Sequence, residues 1–353
     1  MTKRLLKQVV GIDVAQNELV VSLGNMDHET TTGIYAYKVF ANTATGIKAL
    51  SGWVKSKTLA EYPLRYVMEA TGVYHECLAY YLSDNSCSVS IVMPNKISNF
   101  FKTLEIKTVT DKSMSEAIAM FGLEKKLEDW TPPKKVFREL RQISRERDQL
   151  VCERTVLKNQ RHAEKAEAFP NENTLERIKE RIELIESHLK AILAEINGSI
   201  KADVKLKEDV QIITSAVGIG VLTAAAILSE TNGFELIRSQ KQLTGYTGLD
   251  VKEKESGTSV KGRPRISKRG NKHLRKAMHM PALAAIRHSP RYKAIYMRIL
   301  AKTGIKMKAL VAVQRKLLEL VYTLYKTRKP YQENYLQKQA EEVKTKVELE
   351  ELV

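Results

Sequence analysis

Short runs in which apolar and polar residues alternate, or in which apolar residues dominate, predict strands at Gln8–Val14, Glu18–Leu23, Ile34–Phe40, Arg65–Glu69 and Ser88–Val92. Helical spacing appears between them near Gly46–Lys57 and Tyr74–Leu82. Hairpins therefore come first and helix-connected strands later, which reads as a mixed α/β domain. Trp130-Thr-Pro-Pro133 stops this pattern and opens a charged helix from about Lys134 to Ala168, broken at Phe169–Asn173. In the helix that follows, Leu175, Ile178, Ile182, Ile185, Leu189, Ile192 and Ile196 recur at steps of three and four, a heptad seam. That seam closes either within the chain or against a second copy. The less regular stripe on the first helix (Val136, Leu140, Ile143, Leu150) favours a dimerising coiled coil. From Lys201 the pattern is helical with short loops. The expected fold class is α/β plus all-α, in four segments: an α/β domain over 1–130, a coiled-coil hairpin over 131–200, a helical domain over 201–335 and a charged tail over 336–353.

Composition adds limits and one strong asymmetry. A chain of 353 residues with 43% hydrophobic residues suffices for two or three buried cores. Cys77, Cys87 and Cys152 are odd in number and follow no metal-ligand spacing, which points to a reducing compartment and no structural zinc. MTKRLLKQVVGIDV lacks the features of a secretory signal and no apolar run reaches membrane-span length, so the expected compartment is the cytoplasm. The net charge of +17 is concentrated: Lys261–Pro330 holds 20 Lys and Arg against one acid, Glu319, leaving the rest of the chain at −2. Apolar residues thread this block at helical spacing, so it is no solubility tail. A polyanion partner, namely nucleic acid, is the expectation, with an anionic membrane surface as its competitor.

Candidate chemistry lies in two places. Between Ser256 and Lys276 a serine-glycine pair runs into SVKGRPRISKRGNKHLRK, setting a hydroxyl beside many cations. Ser256, Ser259 and Ser267 are the hydroxyl candidates, and Ser267 reads as a helix cap before Lys268. Lys261, Arg263, Arg265, Lys268, Arg269, Lys272 and Arg275 are the candidates for gripping phosphate. His273 and His288 stay outside the catalytic set. In the first domain Asp13 ends one strand, Glu69 ends another and Asp111 starts a helix, an arrangement able to gather divalent cations. Finally, Val217-Gly-Ile-Gly220 lies between two apolar helical segments. Gly218 and Gly220 there are either a helix-hairpin-helix contact for a phosphate or an ordinary tight corner.

Gly11-Ile-Asp13, Met68-Glu-Ala-Thr-Gly-Val-Tyr74, Thr110-Asp-Lys112 and the run QLTGYTGL, ESGTSVKG, GRPRISKRGNKHLR appear in one order across the chain. Together they resemble the transposases of the insertion sequence one-ten family, which includes the Piv-type DNA invertases. The resemblance extends to about Tyr331. It implies an N-terminal RuvC-like domain of ribonuclease H fold with a DEDD acid set holding Mg²⁺ or Mn²⁺, a coiled-coil insert and a C-terminal domain with a catalytic serine, here Ser256. It further implies a DNA recombinase guided by a structured bridge RNA, a phosphoserine link to DNA, and serine and acids supplied by different subunits of a homodimer or of a tetramer on double-stranded DNA. This chain departs from the pattern at the fourth acid, where Met114 stands three residues after Asp111. Glu116 is the nearby carboxylate and either completes the acid set or is a surface residue. A regular helix sets it roughly 140° around from Asp111, unless Asp111 is a cap outside the helix. Two other readings stay open: a metal-dependent nuclease or junction resolvase in which water attacks, and an inactive nucleic-acid-binding scaffold.

Overall fold

The structure is a computed structural model that describes residues 4–333 except 71, 105, 107, 236, 253, 254, 257–259, 263 and 264, with backbone alone at 255, 256, 260 and 261. It divides into two compact units, Met1–Pro132 and Pro133–Val353.

The first unit is a five-stranded sheet of order β3-β2-β1-β4-β5, from β1 (Leu5–Val14), β2 (Glu18–Asp27), β3 (Thr32–Ala41), β4 (Leu64–Glu69) and β5 (Ser88–Val92). The first three strands are antiparallel hairpins, and β1, β4 and β5 run parallel. Helices α1 (Ala44–Lys57), α2 (Glu76–Asp84), α3 (Pro94–Phe101) and α4 (Asp111–Glu124) connect and cover them. The order expected from the sequence, hairpins first and helix-linked strands later, is the one found. Helix α3 was not among the expected elements, because Ile97, Phe100 and Phe101 span too short a stretch for a period to show. Strand β2 runs on through Gly24–Asp27, where ladder pairing with both neighbours overrides a poor strand composition.

The pleat explains the placement of the acids. Val10, Ile12 and Val14 face one core with Leu50, Leu78 and Leu82, while Val9 faces the other with Ile118 and Phe121 of α4. Strand alternation therefore puts Gly11 and Asp13 on the α4 side. Tyr66 and Met68 likewise join the first core and Val67 the second, so Glu69 follows Val67 to the α4 side. Gly11 lets the helix come down onto the strand: a Cβ there would stand 2.3 Å from the Ala119 nitrogen and 2.4 Å from the Ser115 carbonyl oxygen. Just beside it the Ser115 and Ser22 hydroxyls hydrogen-bond at 2.7 Å. Gly11→Ala should lift α4 off β1 and destabilise the unit by about 3 kcal/mol, measured by urea unfolding.

The second unit begins with an antiparallel hairpin of α5 (Lys135–Lys165) and α6 (Glu172–Ala202). Its seam closes within the chain. Ile178, Ile182 and Ile185 are buried with Leu157, while Ile192, Ile196 and Ile200 join Phe137, Leu140 and Ile143 in the core of the following helices. This differs from the expected closure against a second copy: a short turn holds α5 beside α6 at high effective concentration, and its irregular stripe suffices as a partner. Then come α7 (Val204–Thr214), α8 (Val221–Glu230), α9 (Gln240–Thr247), α10 (Lys272–Ala277), α11 (His279–His288), α12 (Pro290–Thr303) and α13 (Lys306–Thr327). Between α9 and α10 the chain makes an excursion of nested two-residue ladders. In it β6 (Val251–Lys252) pairs with β9 (Arg265–Ile266), and β7 (Glu255–Ser256) with β8 (Val260–Lys261). The hairpin root and the helical segment share one core. No helix among the described residues is long and apolar enough to cross a membrane.

Candidate functional site

In the first unit the charges of Asp111 and Glu69 act on Asp13. Burial, and then the negative charges of Asp111 and Glu69, push the Asp13 carboxyl up to about 6, with Glu18 adding to the effect. Asp111 is the first residue of α4 rather than its cap. The Thr110 hydroxyl accepts from the Ser113 nitrogen at 3.1 Å and the Ser113 hydroxyl accepts from the Thr110 nitrogen at 2.8 Å, a reciprocal capping box. The helix is therefore regular from Asp111 on, and Glu116 stands about 140° around it. Glu116 lies 3.9 Å from Lys112, and Met114 packs on the apolar cluster beneath α4.

Among the described residues no three His, Cys, Asp or Glu side chains are gathered closely enough to chelate one ion by themselves. The donor set nevertheless fits a hard divalent cation. A carboxyl such as that of Asp13, whose proton affinity is raised by neighbouring carboxylates, is relieved by a cation, and Mg²⁺ keeps several waters and needs only one or two carboxylates plus substrate phosphate.

The second unit holds the serine and the cations. Ser256 sits on β7 with its backbone opposite Val260. Ser259 and Arg263 lie outside the described residues, as do the side chains of Ser256 and Lys261. The neck of the excursion is firm: the Ser267 nitrogen donates to the Asp250 carbonyl at 2.8 Å and its hydroxyl to the Asp250 carboxylate at 2.5 Å. Ser267 is thus a clip and not a helix cap. Asn271 caps α10 instead, accepting from the Leu274 nitrogen at 3.0 Å. Arg265, Lys268, Arg269 and Lys272 are exposed. Arg275 is spent on structure, donating to the carbonyls of Thr247 at 2.7 Å and Gly270 at 3.2 Å.

Next to this neck a cleft of about 750 Å³ opens between α5, α8, α10, α11 and α13. Leu222, Ala226, Met280 and Val311 give it an apolar floor, and Arg145, Arg147, Lys272 and Lys276 give it cations. Lys276 pairs with Asp148 at 3.4 Å and Arg145 with Glu230 at 2.7 Å, while Arg147 and Lys272 have no protein partner among the described residues. Burial and the Arg145 charge hold the cleft's His273 below the usual histidine range, hence neutral at pH 7. Of the two glycines between α7 and α8, Gly218 (φ +89°) is packed: a Cβ would meet the Pro281 carbonyl oxygen at 2.5 Å. Gly220, at the N-terminus of α8, has open space beside it.

Arg147 and Glu230 escaped sequence reading. Arg147 looks like one more charge on a charged helix. Glu230 did leave a signal, a lone acid closing the apolar run Val221–Glu230.

Residues 10–170 match the family model for DEDD transposases of the IS110 type, and residues 210–297 match that of the Transposase IS116/IS110/IS902 family. The chain belongs to the IS110 family of transposases. It is similar to the pilin gene-inverting protein of Moraxella bovis, 27% identical over 330 residues that make up 92% of this chain and 98% of that one. A shorter likeness, 30% over 125 residues (34% of this chain and 31% of the relative), is to the insertion element IS110 uncharacterized 43.6 kDa protein of Streptomyces coelicolor. Among solved structures, that of Thermus thermophilus RuvC covers 35% of this chain and 99% of its own, at 11% identity and a TM-score of 0.28. Both family models fall on the residues described above: the first spans Asp13, Glu69, Asp111 and the cleft's Arg145 and Arg147, and the second spans Ser256 and the cleft residues Leu222–Pro281.

Proposed function

We propose that this transposase is a DNA recombinase that cuts and rejoins strands through a covalent phosphoserine intermediate at Ser256. Its first unit is read as a RuvC-like domain, with Asp13, Glu69 and Asp111 as the acids. The observation that carries the reading is the pairing, within one family member, of an Asp13 carboxyl under the charge of Asp111 and Glu69 with a serine on an excursion whose neck borders a cationic cleft. In the covalent step the Ser256 oxygen bonds to phosphorus as one bridging P–O bond to deoxyribose breaks. The serine proton leaves to a base, and the departing sugar oxygen takes up a proton. One bond is exchanged for another of the same kind, so rejoining needs no outside energy source. The cations after the serine offset the charge of the pentacovalent transition state. Asp13, Glu69 and Asp111 are the residues that would hold Mg²⁺ together with water and substrate phosphate, and the ion when bound would supply further charge neutralisation.

Carboxylates and serine lie in separate units, in keeping with the family resemblance, which implies that they meet from different subunits of a homo-oligomer. The same resemblance implies a bridge RNA as guide. The protein then reads shape and backbone, and base pairing supplies the sequence. Glu116 is read as a surface residue of α4 paired to Lys112. Glu116→Gln should leave cleavage rate and Mg²⁺ dependence unchanged, and a loss of either would return it to the acid set.

The test is a suicide-type DNA substrate incubated with protein, guide RNA and Mg²⁺. A covalent protein–DNA adduct that requires Ser256 supports the proposal, and cleavage that persists without the serine hydroxyl overturns it. The cleft makes its own prediction: Lys272→Gln and Arg147→Gln should each weaken DNA binding uniformly across sequences and reduce the slope of log Kd against log salt by about 0.9. Fluorescence anisotropy over a salt series reads both.

A further inference from the structure

The root of the α5–α6 hairpin is tied to the serine-bearing excursion by a buried carboxylate. Glu230, the last residue of α8, is 5% exposed. It accepts a fork of bonds from Arg145 of α5, from Nε at 2.7 Å and from Nη2 at 2.9 Å, and a third from the Asn271 side chain at 2.6 Å. Burial pushes its carboxyl up, but the bonds from Arg145 and Asn271 outweigh this and hold it below the usual carboxylate range, ionised at neutral pH.

From Glu230 the contacts continue without a break to the neck of the excursion. The Tyr246 hydroxyl donates to the Glu230 carbonyl at 2.8 Å, and the Asn271 nitrogen donates to the Tyr246 carbonyl at 2.8 Å. Gly270 (φ +152°) presses on α9: a Cβ there would stand 2.4 Å from the Tyr246 oxygen and 2.8 Å from the Gly248 nitrogen. The Lys268 nitrogen then bonds the Gly248 carbonyl at 3.1 Å, and the Ser267 nitrogen the Asp250 carbonyl at 2.8 Å. From Asp250 the chain enters the β6–β9 ladder that closes the base of the Ser256 excursion. A second tie, Lys276 to Asp148 at 3.4 Å, joins α10 to α5 in parallel.

An ion pair of a buried carboxylate and a half-exposed guanidinium is a poor device for stability, since the cost of desolvating the acid offsets the attraction. What it supplies is direction, because the guanidinium fork and the amide fix the carboxylate in one orientation. We propose that Glu230 is a positioning residue for the recombination chemistry: through Arg145 and Asn271 it holds the neck of the serine excursion and the start of α10 in one arrangement relative to the hairpin. The chemical part of this rests on the reading of Ser256 as nucleophile, while the structural part stands alone.

Full-length wild type, Glu230→Gln, Arg145→Met and the double variant are compared by hydrogen exchange and by DNA cleavage with guide RNA and Mg²⁺. Expected in Glu230→Gln is exchange about tenfold faster over Val251–Ile266, and a single-turnover cleavage rate about 30-fold lower at a DNA Kd within about twofold of wild type. Arg145→Met should be at least as slow, because it strands a buried carboxylate. The double variant should resemble Glu230→Gln instead of summing the two losses. Unchanged exchange over the excursion, or a wild-type cleavage rate in Glu230→Gln, overturns the proposal. Cleavage by the wild type without a Ser256 adduct defeats the nucleophile assignment instead, and the exchange and rate comparisons still decide the role of Glu230.

Discussion

Ser256→Ala is expected to form no covalent DNA adduct and to lower strand exchange by about 10⁴-fold or more, as removal of an enzyme nucleophile does, while DNA affinity stays within about twofold of wild type. The split between rate and affinity follows from what the residue supplies. In the proposed chemistry the Ser256 hydroxyl forms the intermediate, while exposed Arg265, Lys268, Arg269 and Lys272 are the candidates for phosphate binding. Gel separation of adduct from free DNA and a filter-binding isotherm on one preparation measure both quantities. Ser259→Ala, three positions after Ser256, should keep the adduct.

Asp13→Asn should act in opposite directions on activity and stability. Activity falls by about 10³-fold as the end of β1 loses its charge toward the cation and the reacting phosphate. Stability rises. The Asp13 carboxyl, pushed up to about 6 by burial and by Asp111 and Glu69, starts from an ordinary value of 3.8. An acid whose folded pKa is raised costs nothing while protonated in both states, below about 4. Its cost grows as pH rises between the two values and is complete above the folded one. Without divalent metal, the asparagine variant should therefore match wild type near the acid end of that window and exceed it above the window by about 1 kcal/mol after solvent screening. Adding Mg²⁺ should raise the melting temperature of wild type more than that of the variant, since binding stabilises the state that binds. Calorimetry across pH, with and without Mg²⁺, tests both signs.

Much of this arrangement was legible in the sequence where one strong period or one special residue governs it. Alternating or apolar-dominated runs marked all five strands of the sheet, and the places of Asp13 and Glu69 at strand ends follow from counting along β1 and β4. The heptad stripe marked α6, but whether its seam met α5 or a second copy depended on a turn whose geometry no periodicity encodes. Asp111 was found, yet its standing as first helical residue depended on the Thr110–Ser113 capping box, and that detail turns Glu116 away. Gly218 carried two readings because a glycine that approaches a phosphate and one that approaches Pro281 look alike in sequence. The Arg145–Glu230–Asn271 set was invisible for a simpler reason. Its members lie 85 and 41 positions apart, and only folding makes a charged helix residue and a buried acid neighbours.

The central claim is that the serine itself takes the phosphate. Its most direct test is to trap the protein–DNA adduct, digest it with nuclease and trypsin, and sequence the modified peptide Glu255–Lys261 by mass spectrometry. The account predicts a nucleotide remnant esterified to Ser256. A remnant on Ser259 or on any other residue, or cut DNA with no modified peptide at all, would contradict it.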